Sequence, residues 1–365
     1  MGMIDLMIGN RTNVFETIGS LLGGCYACVT YPLHWLAAGL VAVAFLTCVP
    51  VRSHAQTQRV MLARIDADTS DAALDASKLI AGLTLALEST KQYVVVPNEI
   101  RDSLARSLGD SVTYQRVADS LGAELIVFAS VARIANLVRS ELVIAGGDGF
   151  SFSTGGHGYG VTYLQSDTTG SMIYDPAILS SMQRALCVAM RDSSLYAGAD
   201  AALQVRPATL LTIGGVAFSE QPPDVIPWST FKEKVVASFD LVQTTIAALR
   251  FREDLIVIDT DTRDSIYAKA GLYFVENYNP VTSAELTTLR AFDIDRIITG
   301  RYQRKGNAAE LTLYLQTIGQ NGAITVDKKS TSTIAEDSKL MLQNGARTCL
   351  RELFGTISEP PERKP

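Results

Sequence analysis

One twelve-residue sentence occurs twice in this chain. YVVVPNEIRDSL, beginning at Tyr93, is answered without a gap by LIVIDTDTRDSI, beginning at Leu255. Val95 matches Val257, and Arg101-Asp102-Ser103 matches Arg263-Asp264-Ser265, each at a step of 162 positions. Leu87 and Leu249 obey the same step, as do Cys187 and Cys349 further on, although gaps intervene. Several matches in one register point to a copied unit, which confines the chain to two small folds of one kind. The length agrees, since 365 residues exceed one average domain and suit two.

Each copy reads as α/β. A short apolar strand opens it, RVMLARI from Arg59 and ATLLTIGGVAF from Ala208. A helix follows, with Leu79, Leu83 and Leu87 on one face in the first copy and Leu241 or Val242, Ile246 and Leu249 in the second. The repeated strands come next. Four apolar residues in a row, Tyr93 to Val96 and Leu255 to Ile258, predict burial on both faces and a central place in a sheet. A second helix leads to LIVFASV from Leu125 and RIITGRY from Arg296. In the second copy that helix has a capping-box start, Thr282 with Glu285, and Val281 spaced to staple onto Leu286. Such alternation requires crossovers and parallel pairs. The later part of each copy switches to period two: Leu311, Leu313 and Leu315 alternate with polar residues before IGQNG turns the chain into AITV. A helix carrying the cysteine closes each copy. The expected fold is two tandem homologous α/β domains, each a mixed sheet flanked by helices. They span 56–195 and 208–355, with a linker at 196–207 and a disordered, Pro-rich tail at 356–365.

The first 55 residues stand apart. No Lys, Arg, Asp or Glu occurs from Ile18 to Val51, and the apolar run ends near Ser53-His54-Ala55, a small-x-small triplet of the kind that marks secretory cleavage. Export with cutting after Ala55 is the expectation. Retention as a membrane anchor is the alternative, because Asp5, Arg11 and Glu16 break the short basic start of a signal and the apolar length suffices to span a bilayer. Phe45-Leu46-Thr47 before Cys48 is a poor lipidation site. Cys25, Cys28 and Cys48 fall in this segment, leaving Cys187 and Cys349 for the mature chain. Two buried thiols is the default for that pair; a disulfide needs the two closing helices face to face. A net charge of −6 argues against a nucleic-acid partner, which demands a basic surface.

The order of these elements, with VVV or IVI after the first helix, LGAELIVFASV at the next strand and a Leu-alternating hairpin, resembles the α/β domain shared by three envelope families. These are the TolB amino-terminal region, the curli-secretion lipoproteins and the outer-membrane lipoproteins that activate peptidoglycan synthases. The resemblance covers roughly 59–190 and 208–355 and rests on pattern, without an invariant catalytic motif. It implies a periplasmic or outer-membrane-associated protein that works by contact with envelope proteins, without cofactor, metal or catalysis. A homo-oligomer is left open: a tandem copy departs from the single-copy members, so their oligomeric states do not carry over.

Three local features compete with that reading. Ser229-Thr230-Phe231-Lys232 has the S-x-x-K spacing of acyl-serine hydrolases, yet S-D-N and K-T-G partners are missing and Ser229 suits a helix cap after Pro227. His157, alone in the mature chain, cannot build a multi-histidine metal site. The glycine stretch from Gly146 to Gly160 contains no lysine and is not a P-loop. It reads as an exposed hairpin turning at TGGHG, with Phe150 and Phe152 on one arm and Tyr159, Val161 and Tyr163 on the other. Apolar-out alternation over 150–163 also admits a membrane-spanning strand of a secretion pore, but the clean arm is shorter than a span needs. Candidate partner contacts are therefore Phe150, Phe152 and Tyr159 in that hairpin, and Trp228 with Pro222 and Pro223 in QPPDVIPWSTF, an insertion confined to the second copy.

Overall fold

The computed structural model describes residues 57–68, 70–109, 111–147, 152–163, 173–192, 205–219, 231–305, 308–335 and 338–357. The leader, Phe150, the 220–230 insertion with Pro222, Pro223, Trp228 and Ser229, and most of the 196–207 linker lie outside them. Among the described residues, no helix is long and apolar enough to cross a membrane.

Two five-stranded mixed sheets carry the chain. The first contains β1 (Gln58–Ala67), β2 (Tyr93–Val95), β3 (Leu125–Ile134), β4 (Leu137–Gly146) and β5 (Ser153–Val161), in the order β2-β1-β3-β4-β5. The second contains β6 (Thr209–Ser219), β7 (Leu255–Ile258), β8 (Arg296–Lys305), β9 (Ala308–Ile318) and β10 (Ile324–Ile334), in the order β7-β6-β8-β9-β10. In both, the first strand runs parallel to its two neighbours, and the remaining pairs are antiparallel hairpins. Order and direction are therefore the same in the two halves.

Pairing extends the match to single residues. Val60 lies opposite Val95, and Leu211 opposite Val257. Ile134 lies opposite Leu137, and Lys305 opposite Ala308. The step between matched residues is 151 from β1 to β6, 162 from β2 to β7 and 171 from β3–β4 to β8–β9. The second half has thus gained 11 residues after β6 and 9 more before β8.

Helices pack on both faces of each sheet, because strand residues alternate between two cores. In the first half, Val60 and Leu62 face α1 (Ala76–Glu88) and α4 (Asp175–Met190), while Met61 and Ala63 face α2 (Asn98–Leu108) and α3 (Tyr114–Leu121). In the second half, Leu211 and Ile213 face α5 (Phe231–Leu249) and α8 (Lys339–Phe354), while Leu210 faces α6 (Thr260–Lys269) and α7 (Ser283–Ala291). Thr282 and Glu285 form the expected reciprocal cap at the start of α7.

One expectation is corrected. The repeated strands β2 and β7 are edges, and the opening strands β1 and β6 have neighbours on both sides. An apolar run is silent about the hydrogen-bonding sides, and the expected burial on both faces holds at β7 but not at β2, where Val94 is 49% exposed. Val95 and Val257 are nevertheless both buried, at matched positions of the two sheets.

The repeated Arg-Asp explains itself here. Both β1 and β6 carry a one-residue bulge at the matched place, between Leu62 and Arg64 and between Ile213 and Val216. The bulge turns a ladder carbonyl away from its partner strand. Arg101 donates from Nη1 to the Leu62 carbonyl, and Arg263 donates from Nη1 to the Ile213 carbonyl at 2.8 Å. The following aspartate, Asp102 or Asp264, accepts from the same guanidinium. A defect in the middle strand and the cation that satisfies it have been kept together twice.

Candidate interaction surface

The glycine stretch does not turn at TGGHG. Ser153 to Val161 is one strand, and the β4-to-β5 connection lies before it, from Gly147 to Phe152. Gly156, Gly158 and Gly160 all face α4. A Cβ on any of them would come within 3.0 Å of helix backbone: Ala189 and Ala185 for Gly156, Ser181 and Ala185 for Gly158, Ala177 for Gly160. The helix offers small residues at a matching interval, Ala177, Ser181, Ala185 and Ala189. Period two on the strand meets period four on the helix. Thr154 Oγ1 donates to the Ala189 carbonyl at 2.7 Å, and the Ser140 and Ser181 hydroxyls share a buried hydrogen bond of 2.6 Å. The glycines are a helix-packing face.

The opposite face of β5 is divided. His157 is exposed and lies across from Glu141. Tyr159 and Val161 turn into the second half, joining Ile134 and Leu137 on a cluster that contains Leu210, Ile256, Ile258, Ile266 and Tyr267. Tyr159 donates its phenolic proton to Asp293, and burial followed by that carboxylate pushes its pKa well up. Asn136, in the β3–β4 turn, donates from Nδ2 to Asp259 Oδ2 at 2.6 Å, while Asp259 Oδ1 caps α6. Tyr163 closes the joint: its hydroxyl accepts from the Val257 N–H and donates to the Val257 carbonyl, both at 2.9 Å. A phenol stands where another strand would pair with β7. Tyr163→Phe should leave both buried backbone groups of Val257 without a partner, costing about 1–3 kcal/mol in urea unfolding. An unchanged unfolding midpoint would remove the phenol from the joint.

These placements revise the candidate contacts. Tyr159 serves the joint between halves and is not an exposed hairpin residue, because its side of β5 packs against the second half. Phe152 is exposed at the beginning of β5. A membrane-spanning role for 150–163 meets the same objection, since α4 covers one face of β5 and the second half covers part of the other. Cys187 and Cys349 are free thiols in separate cores, so the disulfide is not formed. Burial pushes the Cys187 thiol up to about 12.

A different segment presents apolar side chains to solvent. The nine-residue gain before β8 makes the loop after α6 long, and main-chain bonds fix it: Leu272 N–H to the Tyr267 carbonyl at 3.0 Å, Val216 N–H to the Asn277 carbonyl at 2.7 Å, and Phe218 N–H to the Tyr278 carbonyl at 3.3 Å. Gly215 allows the approach, because a Cβ there would strike the Asn279 carbonyl. On this tied loop Tyr273 is 71% exposed and Phe274 95% exposed. Both residues form part of the wall of a cavity of about 300 Å³, together with Leu272, Val275, Asn279, Pro280 and Thr282. Sequence reasoning passed over this finger. Comparing the steps of 162 and 171 between the copies would have exposed nine extra residues, which fall within the stretch GLYFVENYNP.

No family model and no curated protein matches the chain. Solved structures do. The LpoB C-terminal domain from Escherichia coli matches with 14% identity and a TM-score of 0.23, covering 32% of this chain and 92% of that one. Lipoprotein GNA1162 from Neisseria meningitidis matches with 11% identity and a TM-score of 0.22, covering 27% and 78%. A PelC dodecamer from Paraburkholderia phytofirmans matches with 12% identity and a TM-score of 0.23, covering 35% and 88%. Likenesses this slight say nothing of what the chain binds.

Proposed function

We propose that this chain is an exported protein of the bacterial envelope that scaffolds or regulates an envelope complex by protein contact, without catalysis of its own. One observation carries the contact: a hydrogen-bonded loop holds Tyr273 and Phe274 out in solvent, where burying two rings on a partner costs little loop ordering. The apolar leader ending at Ser53-His54-Ala55 supports the export. Acidic Glu276 beside the finger favours a protein over an anionic lipid surface.

The test is a photo-reactive benzoylphenylalanine placed at position 274 and irradiated in intact cells, with the same probe at exposed Ser107 as the control. A discrete protein adduct at 274 that is missing at 107 is the expected result. Lipid adducts alone, or labelling no stronger than the control, would sink the reading.

A further inference from the structure

The seam uses one receiving surface, and the duplicated fold supplies two. In the second half that surface includes Ile256 on β7 and Thr262 on α6, 3% and 0% exposed, and Thr262 Oγ1 accepts from the Asn136 N–H at 3.2 Å. Their counterparts at the step of 162 are Val94 on β2 and Ile100 on α2, 49% and 50% exposed. α6 buries Thr262, Arg263, Ile266 and Tyr267, whereas α2 buries none of its residues. The cavities agree. Beside His157 and Tyr159 at the seam lie Thr209, Asp293 and Asp295; the residues matched to these three, Gln58, Gly122 and Glu124, line an open cavity of about 520 Å³ in the first half. The register is secure, because the Gly147 N–H donates to the Glu124 carbonyl at 2.7 Å as the Ile318 N–H does to that of Asp295 at 2.8 Å, and Gly122 and Asp293 share a left-handed φ of 61°.

The open copy has stayed apolar where it meets solvent. Buried Thr262 is matched by exposed Ile100, and two half-open β-branched side chains are area still to be removed from water. The polar fastenings are not repeated: Asp259, which holds Asn136, is matched by Pro97, Asp293, which holds Tyr159, by Gly122, and Leu210 by exposed Arg59. A second copy of this chain does not supply the guest, since its apolar end is spent in its own seam and its outer end carries Lys305, Ala308 and Thr333. We propose that Val94 and Ile100 mark a second receiving site, which takes the apolar hairpin end of a like α/β domain belonging to a different protein. The seam names the guest, because the same surface in the second half receives just such an end, Ile134, Leu137 and Tyr159. The site stands apart from the finger at Tyr273 and Phe274 and does not depend on it.

The test is to supply the missing end. K305I/A308L/T333Y gives the outer hairpin of the second half the residues that the first half presents at the seam. On the chain from Gln56 onward, sedimentation velocity should find wild type monomeric and the triple variant associating head to tail as concentration rises. Adding I100D should weaken that association by about tenfold or more, because it drives a carboxylate into an apolar contact. The circular dichroism spectrum should not change with it, Ile100 being half open. A folded triple variant that stays monomeric, or association indifferent to I100D, would overturn the proposal. So would wild type that dimerises and ceases to with I100D, which would give the site to a second copy. Should the triple variant fail to fold, a photo-reactive benzoylphenylalanine at position 100 of the otherwise unaltered full chain, irradiated in intact cells, decides the matter. The expected adduct joins it to a strand-turn-strand peptide of another protein; adducts only with lipid or with this chain, or no adduct, would sink the idea. An adduct at 274 without one at 100 would remove this site and leave the finger standing.

Discussion

Gly158→Ala should lower the unfolding free energy by about 3 kcal/mol or more, read as a fall in the urea midpoint at unchanged slope. The added methyl would lie closer than 3.0 Å to Ser181 and Ala185, and the nearest atoms are main chain of α4, which cannot rotate aside as a side chain can. Relief requires the helix to lift from β5. That movement would draw Ser181 from Ser140 and pull Arg184, which donates to the Tyr159 carbonyl at 2.7 Å, off the strand. Gly155→Ala is the control: it sits on the same strand, where a Cβ would make ordinary contact with the Leu142 carbonyl at 3.5 Å. It should cost well under about 1 kcal/mol. Equal losses at 155 and 158 would show that strand propensity, not helix approach, is being measured.

Arg263→Leu should cost about 3–5 kcal/mol, and Arg101→Leu only about 1–2 kcal/mol. The two arginines do the same job, but Arg263 is 2% exposed while the Arg101 side chain retains contact with solvent. Removing Arg263 strands the Ile213 carbonyl at a bulge in the middle strand and leaves Asp264 Oδ1 without the two N–H groups it accepts from. Water can reach the Leu62 carbonyl once Arg101 is gone, which caps that loss. Denaturation of both variants checks the ratio. A larger loss at 101 than at 263 would mean the bulge carbonyl is not what the guanidinium secures.

The succession of elements was legible because it was written twice. A match such as Arg101 with Arg263 sets the register, and alternation at Leu311, Leu313 and Leu315 sets the β9 hairpin. Sheet order was less legible. Nothing in the run Tyr93 to Val96 distinguishes a middle strand from an edge, and it overstates the burial of β2, since Val94 lies open to solvent. The glycine strand misled for a physical reason: its packing signal is missing side chains, which carry no hydrophobic periodicity, and the clue lay elsewhere, in the four-residue spacing from Ala177 to Ala189. Tyr163 reads as the end of a hairpin arm and Asn136 carries no signal of its own until the second half is in place to receive them. The finger was legible in principle, as surplus length between two copies. Trp228, Pro222 and Pro223 fall outside the described residues, and their part in binding stays a proposal.

The seam between the halves joins unlike surfaces, the β3–β4 end of one to the β7–α6 side of the other. Chains built that way can concatenate without limit if the outer ends repeat the inner chemistry. Here they do not. Where the first half offers Ile134, Leu137 and Tyr159, the second carries Lys305, Ala308 and Thr333. On the receiving side, Ile256 is 3% exposed under the seam, whereas its counterpart Val94 remains 49% open. The halves therefore couple once within the chain, and the outer hairpin end lacks the apolar residues that would repeat that coupling from one molecule to the next.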